Sequence, residues 1–519
     1  MKNAKILFVI YTTQDGLIKA VNTFDLEMAN GEKLGLIGEI TTKSERFLFT
    51  NRLLNDMNSR IPPELRGALS AGAGYSLLIK GEPGTGKTML AFEVLDEFGG
   101  DNAIYLSARI SLPALYSQFP WLEERVGFSV VDATKLYISS KAFPRAHPIS
   151  DILHLKMVEE GKPATLVIDS WEAIASEVKE GNKEELEASI TDLVRDYATE
   201  YKMNLILVSE TTDTTPLDYI VDGIVELSRT TIDYRRAREM VLKKLRGTRI
   251  DQHKYGFTLD GGRFRSFSPF QRRKIEKPRR VAVVPNTATN VSTGCVEIDR
   301  ILEGGLNKGS TTIVEYGDDL SLLGYQSIVA HMIINSIQQG NYCVKIPSSG
   351  WDERRLRRGI LPFVKEEDYM KYFTVFEIRK EKKEVRENVK VLKGESMEKD
   401  FPLFTDFISN LEPPVTVIIG TDLLEYQYRL KTVANLARML ELFSYWVMEV
   451  REVGNVGVFG MPTGGALGKE LGHMVTNRFR VTVLDRSVIL YCNRPDTKLH
   501  CLENIITEEA LKLKLTAFV

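Results

Sequence analysis

The sequence predicts an α/β protein made of two tandem copies of one parallel-sheet unit, of which the second copy is degenerate. Between residues 60 and 268, short apolar runs alternate with amphipathic segments, the pattern of parallel strands joined by helices. The same order of runs returns in the second half of the chain. A glycine-rich loop follows the first strand of copy one and has no intact counterpart in copy two.

The composition is that of a globular chain and excludes several function classes. Its 519 residues are 43% hydrophobic and 27% charged, which suits two or three domains. Lys and Arg number 68 against 70 Asp and Glu, a formal net charge of -2, so nucleic-acid binding is not favoured and would need a local basic patch. The four cysteines have no C-x-x-C spacing, and we expect neither a zinc site nor a disulfide framework. We expect no membrane span and a cytoplasmic location.

The chain divides into five predicted parts. They are an N-terminal extension of unknown role at residues 1–56, the first copy at 57–268, a basic linker at 269–284, the second copy at 285–505 and a C-terminal tail at 506–519.

Two of these parts carry no recognisable chemistry. The extension is predicted to hold a hairpin around Lys5 to Ala20 and then a helical segment, and Met57 is an equally good candidate for the biological start. The linker reads QRRKIEKPRR from Gln271 to Arg280. Because no aromatic residues interleave its charges, a solvated tether is favoured over a phosphate-binding patch.

The strands of the two copies correspond. Ser310 to Tyr316 matches Tyr75 to Gly81, and Val415 to Thr421 matches Ala164 to Ser170. The first copy has seven predicted strands: Tyr75–Lys80, Asn102–Ser107, Ala164–Asp169, Asn204–Ser209, Gly223–Leu227, Glu239–Lys244 and Tyr255–Leu259.

The strongest motif is the loop Gly81-Glu82-Pro83-Gly84-Thr85-Gly86-Lys87-Thr88, which satisfies G-x-x-x-x-G-K-[ST] at every required position. It lies between the apolar strand SLLIK and the helical run MLAFEVLDEF. In such loops the backbone N–H groups cradle phosphates, the lysine reaches the β and γ oxygens, and the hydroxyl of the last residue binds Mg²⁺. The loop therefore predicts binding of ATP with Mg²⁺.

A phosphate loop of this kind works with an acid at the end of a buried strand. Asp169 ends the run ATLVID, and together with Thr88 it is the predicted metal-binding pair. The carboxylate alone would be weak evidence, because apolar runs that end in Asp are common. Paired with the phosphate loop, it is predicted to be the acid that orients Mg²⁺.

At this point the chain resembles the RecA-like P-loop ATPases, and within them the tandem KaiC-like group. The second copy carries entry motifs of that group, and the first copy ends in a segment similar to its K-x-R-G-T motif. Residues 60–505 share this resemblance. Three sequence segments are similar to those of the archaeal gas-vesicle regulator D branch: IPPELRGALS, NAIYLSARIS and QFPWL. This similarity implies a regulatory protein. The entry motifs are Ser292-Thr293-Gly294, Glu297-Ile298-Asp299, Gly304-Gly305-Leu306 and Lys308-Gly309-Ser310.

The resemblance also implies an assembly. In KaiC-like rings, the cations of the K-x-R-G-T segment reach the γ-phosphate of the neighbouring subunit, and these roles would fall on Lys244 and Arg246. The family's rings are hexameric, so a homo-oligomer, a hexameric ring, is expected. Two alternatives stay open: solvated cations on an edge strand, and a site completed by the second copy within one chain.

The first copy departs from the family at the position of the hydrolytic glutamate. Arg109 stands in the segment YLSARIS where a carboxylate is expected, and a guanidinium cannot act as a general base. It either holds phosphate or is a surface cation. Glu172 and Glu210 are the substitute candidates for catalysis, beside Lys87 and Asp169. Slow hydrolysis is the resulting expectation.

The second copy has lost the residues for this chemistry. Leu322 and Leu323 stand where the glycine and lysine of the loop should be, and the strand VTVII ends in Gly420 where the metal-binding acid should be. The later segment Thr463 to Glu470 contains Gly-Lys but lacks the first glycine and the final hydroxyl, and it is interpreted as a flexible connecting loop.

Three functions remain open from the sequence. The first is an ATP-dependent regulatory or signal-transduction protein that acts through a protein partner, with transcription as one output. The second is a DNA-associated RecA-type ATPase, which the charge balance disfavours. The third is a non-hydrolysing nucleotide sensor, which Arg109 supports.

Overall fold

The computed structural model describes residues 8–12, 18–22, 59–71, 74–100, 103–123, 128–132, 164–172, 195–271, 278–279, 282–379, 385–506 and 511–519. The chain forms two compact units, Met1–Ser59 and Arg60–Val519. In the first unit, β1 (Phe8–Thr12) pairs antiparallel with β2 (Ile18–Asn22), which is the expected hairpin. The predicted helical segment after it lies outside the described residues.

A nine-stranded sheet forms the centre of the first copy. Its order is β11-β10-β9-β8-β3-β7-β6-β4-β5, and the strands from β8 to β5 run parallel. The strands are β3 (Tyr75–Gly81), β4 (Ala103–Ser107), β5 (Phe128–Asp132), β6 (Thr165–Asp169), β7 (Asn204–Val208), β8 (Gly223–Ile232), β9 (Arg235–Leu245), β10 (Lys254–Thr258) and β11 (Arg265–Ser266). The central strands are buried on both faces, as continuous apolar runs require.

Helices lie on both faces of this sheet. They are α1 (Pro63–Leu69), α2 (Lys87–Phe98), α3 (Leu112–Gln118) and the short α4 (Pro216–Ile220), and one π-helical turn spans Arg195–Glu200. Leu77 and Ile79 pack towards α2, whereas Leu78 packs into a second cluster on the opposite face. The sheet is therefore the middle layer, and α2 starts directly after the loop that follows β3.

A ten-stranded sheet forms the centre of the second copy. Its order is β17-β16-β15-β18-β19-β14-β20-β21-β22-β23. The strands are β14 (Thr311–Tyr316), β15 (Cys343–Ile346), β16 (Phe373–Ile378), β17 (Val389–Leu392), β18 (Thr416–Gly420), β19 (Val456–Pro462), β20 (Asn477–Leu484), β21 (Ser487–Arg494), β22 (His500–Ile506) and β23 (Leu511–Ala517). Before this sheet, β12 (Asn290–Val291) and β13 (Leu306–Asn307) form a small antiparallel pair.

The two sheets have the same topology. The order β8-β3-β7-β6-β4-β5 in the first corresponds strand for strand to β20-β14-β19-β18-β15-β16 in the second. In both, antiparallel strands extend the sheet beyond β8 or β20. The predicted fold class, two tandem RecA-like parallel-sheet domains, is confirmed.

Eight helices of the second copy lie within the described residues. They are α5 (Val296–Ile301), α6 (Leu320–Gln338), α7 (Glu353–Ile360), α8 (Glu366–Tyr372), α9 (Met397–Ser409), α10 (Thr421–Gln427), α11 (Val433–Val453) and α12 (Gly468–Met474). Among the described residues, α6 is the one helix that is long and apolar enough to cross a membrane, and 67% of its apolar stretch is buried inside the protein.

Two expectations for the second copy need correction. The segment 506–519 is no appended tail, because β23 pairs with β22 along its whole length and extends the second sheet. The sequence LKLKLTA of this strand alternates apolar and polar residues, the period of two that is typical of a β-strand. The segment Thr463 to Glu470 is a loop only at its start, because α12 begins at Gly468.

The two copies share an extensive contact within the chain. Its apolar part is a buried cluster that joins Ala237 and Phe267 of copy one to Tyr491 and Phe518 of copy two, among others. Polar contacts surround it: both Arg480 Nη1 and Tyr491 Oη donate to Asp233 Oδ2, at 2.8 and 2.7 Å. The Tyr491 hydrogen bond lowers the pKa of Asp233. The antiparallel extensions of both sheets form this contact.

Candidate nucleotide-binding site

The loop between β3 and α2 has the backbone shape of a phosphate cradle. Gly84 and Gly86 have φ of 73° and 110°, in the left-handed region that residues with a Cβ rarely adopt. A Cβ on Gly84 would lie 2.4 Å from Arg229 Nη2. Because α2 begins at Lys87, its free N–H groups and the positive end of its dipole face the loop.

Lys87 lies inside this loop. Its Nζ donates to the carbonyl oxygens of Gly81 and Glu82, at 2.7 and 2.9 Å, and the residue is buried. Burial lowers the pKa of Lys87, and the carboxylates of Glu210 and Asp169 oppose that shift. The ammonium is therefore held at the place where the phosphates of a nucleotide would need a cation.

Thr88 and Asp169 meet at the carboxyl edge of the sheet. Thr88 Oγ1 donates to Asp169 Oδ2 at 2.7 Å, and Tyr105 Oη donates to the same oxygen at 2.8 Å. Burial raises the pKa of Asp169, and the hydrogen bonds from Thr88 and Tyr105 counteract that rise. Burial and the neighbouring carboxylate raise the pKa of Tyr105 as well, so the phenol stays a donor.

Thr88 and Asp169 fit the Mg²⁺ ion that the sequence motif implies. A hydroxyl and a carboxylate in contact beside a helix N-terminus are the oxygen donors that Mg²⁺ takes when it bridges a P-loop to phosphates. A buried polar atom nearby is also unused: Glu172 Oε2 has no hydrogen-bond partner among the described residues.

The candidate carboxylates for hydrolysis lie at this site but are engaged. Arg109 Nη1 forms an ion pair with Glu210 Oε2. Glu172 Oε1 accepts hydrogen bonds from Ser209 Oγ and, at 2.9 Å, from the Glu210 backbone N–H. The structure therefore brings Arg109, Glu172 and Glu210 together, and it leaves one oxygen of Glu172 available.

Lys244 and Arg246 lie away from the loop of their own chain. The Tyr75 hydroxyl, at the amino end of β3, donates to the Arg246 carbonyl, whereas the phosphate loop follows the other end of β3. Lys244 Nζ donates to the carbonyls of Asp218 and Val221 at 2.9 and 2.6 Å. Arg246 forms a 3.5 Å ion pair with Asp222. Both cations thus have local partners, and their role across a subunit boundary stays a prediction.

Sequence reasoning missed three residues at the site: Tyr105, Arg229 and Arg238. Arg229 Nη2 donates to the Pro83 carbonyl. Arg238 Nη1 donates to the carbonyls of Gly84 and Thr85 at 3.2 and 3.1 Å. The two arginines are cross-strand partners on β8 and β9, at the height of the loop. Only the basic run RRAREM could have drawn attention to Arg238.

Arg238 also connects the loop to the second copy. Its Nε donates to the Val519 carbonyl oxygen at 2.6 Å, and Thr258 Oγ1 donates to the Ala517 carbonyl at 2.7 Å. The arginine is 7% exposed. The end of β23 therefore lies beside the phosphate loop within a single chain, the arrangement that an internally completed site requires.

The corresponding loop of the second copy is closed on itself. It has three residues between β14 and α6, against five between β3 and α2. Asp319 caps α6 by accepting from the Ser321 N–H at 2.9 Å, and Ser321 Oγ accepts from the Gly317 N–H at 2.7 Å. The rings of Tyr316 and Tyr325 stack beneath it at 4.4 Å. The N–H groups of Gly317 and Ser321 thus form hydrogen bonds within the loop.

A comparison with known protein families also identifies a P-loop domain in the region that contains this site. Residues 66–246 match the family model described as GvpD gas vesicle protein, P-loop domain. Protein GvpD2 of Halobacterium salinarum (strain ATCC 700922 / JCM 11081 / NRC-1) is 30% identical over 296 residues, which cover 53% of this chain and 59% of that protein.

A second relative is similar to this chain over a comparable length. Protein GvpD1 of the same organism is 28% identical over 333 residues, 61% of each chain. The matched region is thus less than two thirds of either relative's length. These comparisons confirm the resemblance inferred from the motifs: residues 66–246 are similar to the P-loop domain of the GvpD gas vesicle protein.

Proposed function

We propose that this chain is a regulatory protein that binds ATP with Mg²⁺ in its first copy and hydrolyses it slowly. The observation that carries the proposal is the 2.7 Å contact between Thr88 and Asp169 beside the loop that holds Lys87. A chance glycine turn would not be expected to place a hydroxyl, a buried acid and a buried ammonium at one helix N-terminus.

The roles of the residues follow from their places. The N–H groups of the loop and the Lys87 ammonium bind the phosphates, and Thr88 and Asp169 hold the cation. Mg²⁺, when bound, neutralises phosphate charge. Tyr105 orients the Asp169 carboxylate through its 2.8 Å hydrogen bond. Arg229 and Arg238 hold the loop through its carbonyl oxygens.

Slow turnover follows from the engaged carboxylates. Glu210 is paired with Arg109, so its negative charge is partly neutralised. Glu172 has one oxygen occupied by Ser209 and the Glu210 N–H, and the other is free to orient a water. A correctly placed base contributes about 10² to 10⁴-fold to a rate, and this site offers only a constrained one.

A regulatory role through a protein partner is supported by the relatives and by the surface. The matched family model is described as that of the GvpD gas vesicle protein, and both relatives are named as GvpD proteins, so gas vesicle regulation is the proposed process. On α9 and α11, Leu403, Tyr445 and Met448 are each at least 58% exposed, the kind of apolar surface that partners cover. We propose a cytoplasmic homo-oligomer, with transcription as one output.

A non-hydrolysing nucleotide sensor is the second candidate. The Arg109–Glu210 ion pair favours it, because it occupies the place where an ATPase needs a free acid. A DNA-associated ATPase has weaker support, since the net charge of -2 provides no overall attraction to phosphate backbones.

The test is calorimetric titration of the full chain with ATP, with Mg²⁺ and with EDTA, followed by a phosphate-release assay. We expect Mg²⁺-dependent binding that Lys87→Ala abolishes, and a turnover well below the enzyme median of about 10 s⁻¹. Lys243→Ala, an exposed lysine paired with Glu226, is the matched control and should bind as the wild type does. Equal binding by the Lys87 variant would disprove the assignment. No turnover at all would favour the sensor.

A further inference from the structure

The second copy contains a cavity of about 590 Å³ on the side of its sheet that α6 and α7 cover. This volume lies within the range of about 300 to 1,000 Å³ that is usual for small-molecule sites. Most of its lining is apolar and comes from α6, α7 and the turn after α7. The main apolar residues are Ile333, Ile334, Leu356, Ile360 and Phe363.

One end of the cavity carries a buried cation. Lys345, on β15, lines the cavity and is only 4% exposed. In the described part of the chain its ammonium has neither a hydrogen-bond acceptor nor an ion-pair partner. Burial lowers the pKa of Lys345 to about 8, so the group is still mostly charged at neutral pH. A buried charge without a partner is costly, and proteins normally satisfy it.

A hydroxyl without a partner lies on the same wall. Tyr325 Oη is buried, and it makes no hydrogen bond to any described residue. Tyr325 and Ser348 both line the cavity together with Lys345. An ammonium, a phenol and a serine hydroxyl thus offer donors in a cavity whose lining is mostly apolar.

The correspondence of the two copies explains why no carboxylate of the described residues forms an ion pair with the ammonium. Cys343 pairs with Thr416 as Ala103 pairs with Thr165, so Lys345 occupies the place of Tyr105. In the first copy Tyr105 faces the carboxylate of Asp169, and in the second copy Gly420 stands at that position. The first copy therefore has a carboxylate at this place, and the second copy has an ammonium group instead. The degenerate copy has lost a metal-binding pair and gained a cationic donor.

We propose that this cavity binds an amphipathic monocarboxylate, with the carboxylate on Lys345 and Tyr325 and an apolar chain along the groove between α6 and α7. One ammonium and one hydroxyl match the two oxygens of a carboxylate. A phosphate dianion fits less well, because Asp422 places a negative charge within electrostatic range of Lys345, and its repulsion grows with the charge of the ligand. The proposal does not depend on nucleotide binding by the first copy.

The probe is decanoate, used below its micellar concentration and titrated into the full chain by calorimetry, with decanol as the neutral counterpart. We expect decanoate to bind at least ~10-fold more tightly than decanol, the factor expected for a charge-assisted hydrogen bond. Trp351 also lines the cavity, so decanoate should change the tryptophan fluorescence in the wild type and not in Trp351→Phe.

Lys345→Met is the decisive variant, because it replaces the ammonium by an apolar group of similar length. The variant should lose the preference for decanoate, keep its weak affinity for decanol and unfold at a higher temperature without ligand. Tyr325→Phe should weaken decanoate binding several-fold. Both variants should bind ATP as the wild type does, which separates this proposal from the nucleotide site. Absence of decanoate binding, or equal binding of both probes by the wild type, would overturn it.

Discussion

Replacing Arg238 by methionine should weaken ATP binding although the residue lies on β9, outside the phosphate-loop motif. The guanidinium is 7% exposed and bridges three carbonyl oxygens, those of Gly84, Thr85 and Val519, at 3.2, 3.1 and 2.6 Å. Methionine keeps the apolar length of the side chain and removes all five donors. The loop then loses its connection to β9 and to the second copy.

The size of the effect follows from these contacts. A hydrogen bond from a charged group contributes about 1.5 to 3 kcal/mol when buried. The two loop carbonyls can regain water in the variant, so we expect a net loss of about 2 kcal/mol in the stability of the binding-competent loop. The apparent affinity for ATP is proportional to the fraction of molecules whose loop is in the binding-competent shape. Since about 1.4 kcal/mol corresponds to a tenfold change in an equilibrium constant, the Kd for ATP should rise by roughly 10 to 30-fold.

The assay is calorimetric titration of ATP with Mg²⁺ into wild type, Arg238→Met and Arg236→Ala. Arg236 is exposed on the same strand and serves as the matched control, for which we expect a change of less than about twofold. Thermal unfolding of the ligand-free proteins shows whether the contact between the copies has also weakened. Wild-type affinity in Arg238→Met would refute the reasoning, because the loop would then keep its shape without the guanidinium.

Three further predictions concern the same domain. Tyr105→Phe removes a hydrogen-bond donor to Asp169, so the pKa of that buried acid should rise further. As the pH falls, Mg²⁺-dependent ATP binding should therefore be lost at a higher pH than in the wild type. Unchanged ATP affinity over the acidic range would contradict this prediction. Arg109→Ala frees Glu210 and should raise phosphate release by at least ~10-fold with little change in affinity, whereas a fall would show that the guanidinium serves the phosphates. Arg246→Ala should abolish ATP-dependent assembly in light scattering, and unchanged assembly and turnover would restrict this arginine to its local ion pair.

The sequence predicted the architecture well because its signals are local. Five of the seven strands predicted for the first copy agree with the observed bounds to within one residue, whereas β8 and β9 extend further into a long hairpin, and β5 and β11 were not predicted. That hairpin was underestimated because its outer half is polar and lies against the second copy rather than in the core. The alternation in β23 did not lead to its prediction as a strand, because the sequence TEEA that separates it from β22 contains no Gly, Pro, Asn or Asp.

The chain by itself determined the phosphate loop and its loss in the second copy, because the motif depends on residue types at fixed short spacing. It also determined Asp169 and its replacement by Gly420, because an acid at the end of an apolar run is a local signal. Only the tertiary structure decided which distant groups complete the site. Tyr105 reaches Asp169 because β4 and β6 are adjacent parallel strands, and Arg238 reaches the loop because β9 lies beside β8. The buried Lys345 without a partner also needed the fold, since burial and the absence of a partner are properties of packing. Sequence spacing carries no information on such contacts, which arise where strands far apart in the chain meet in one sheet.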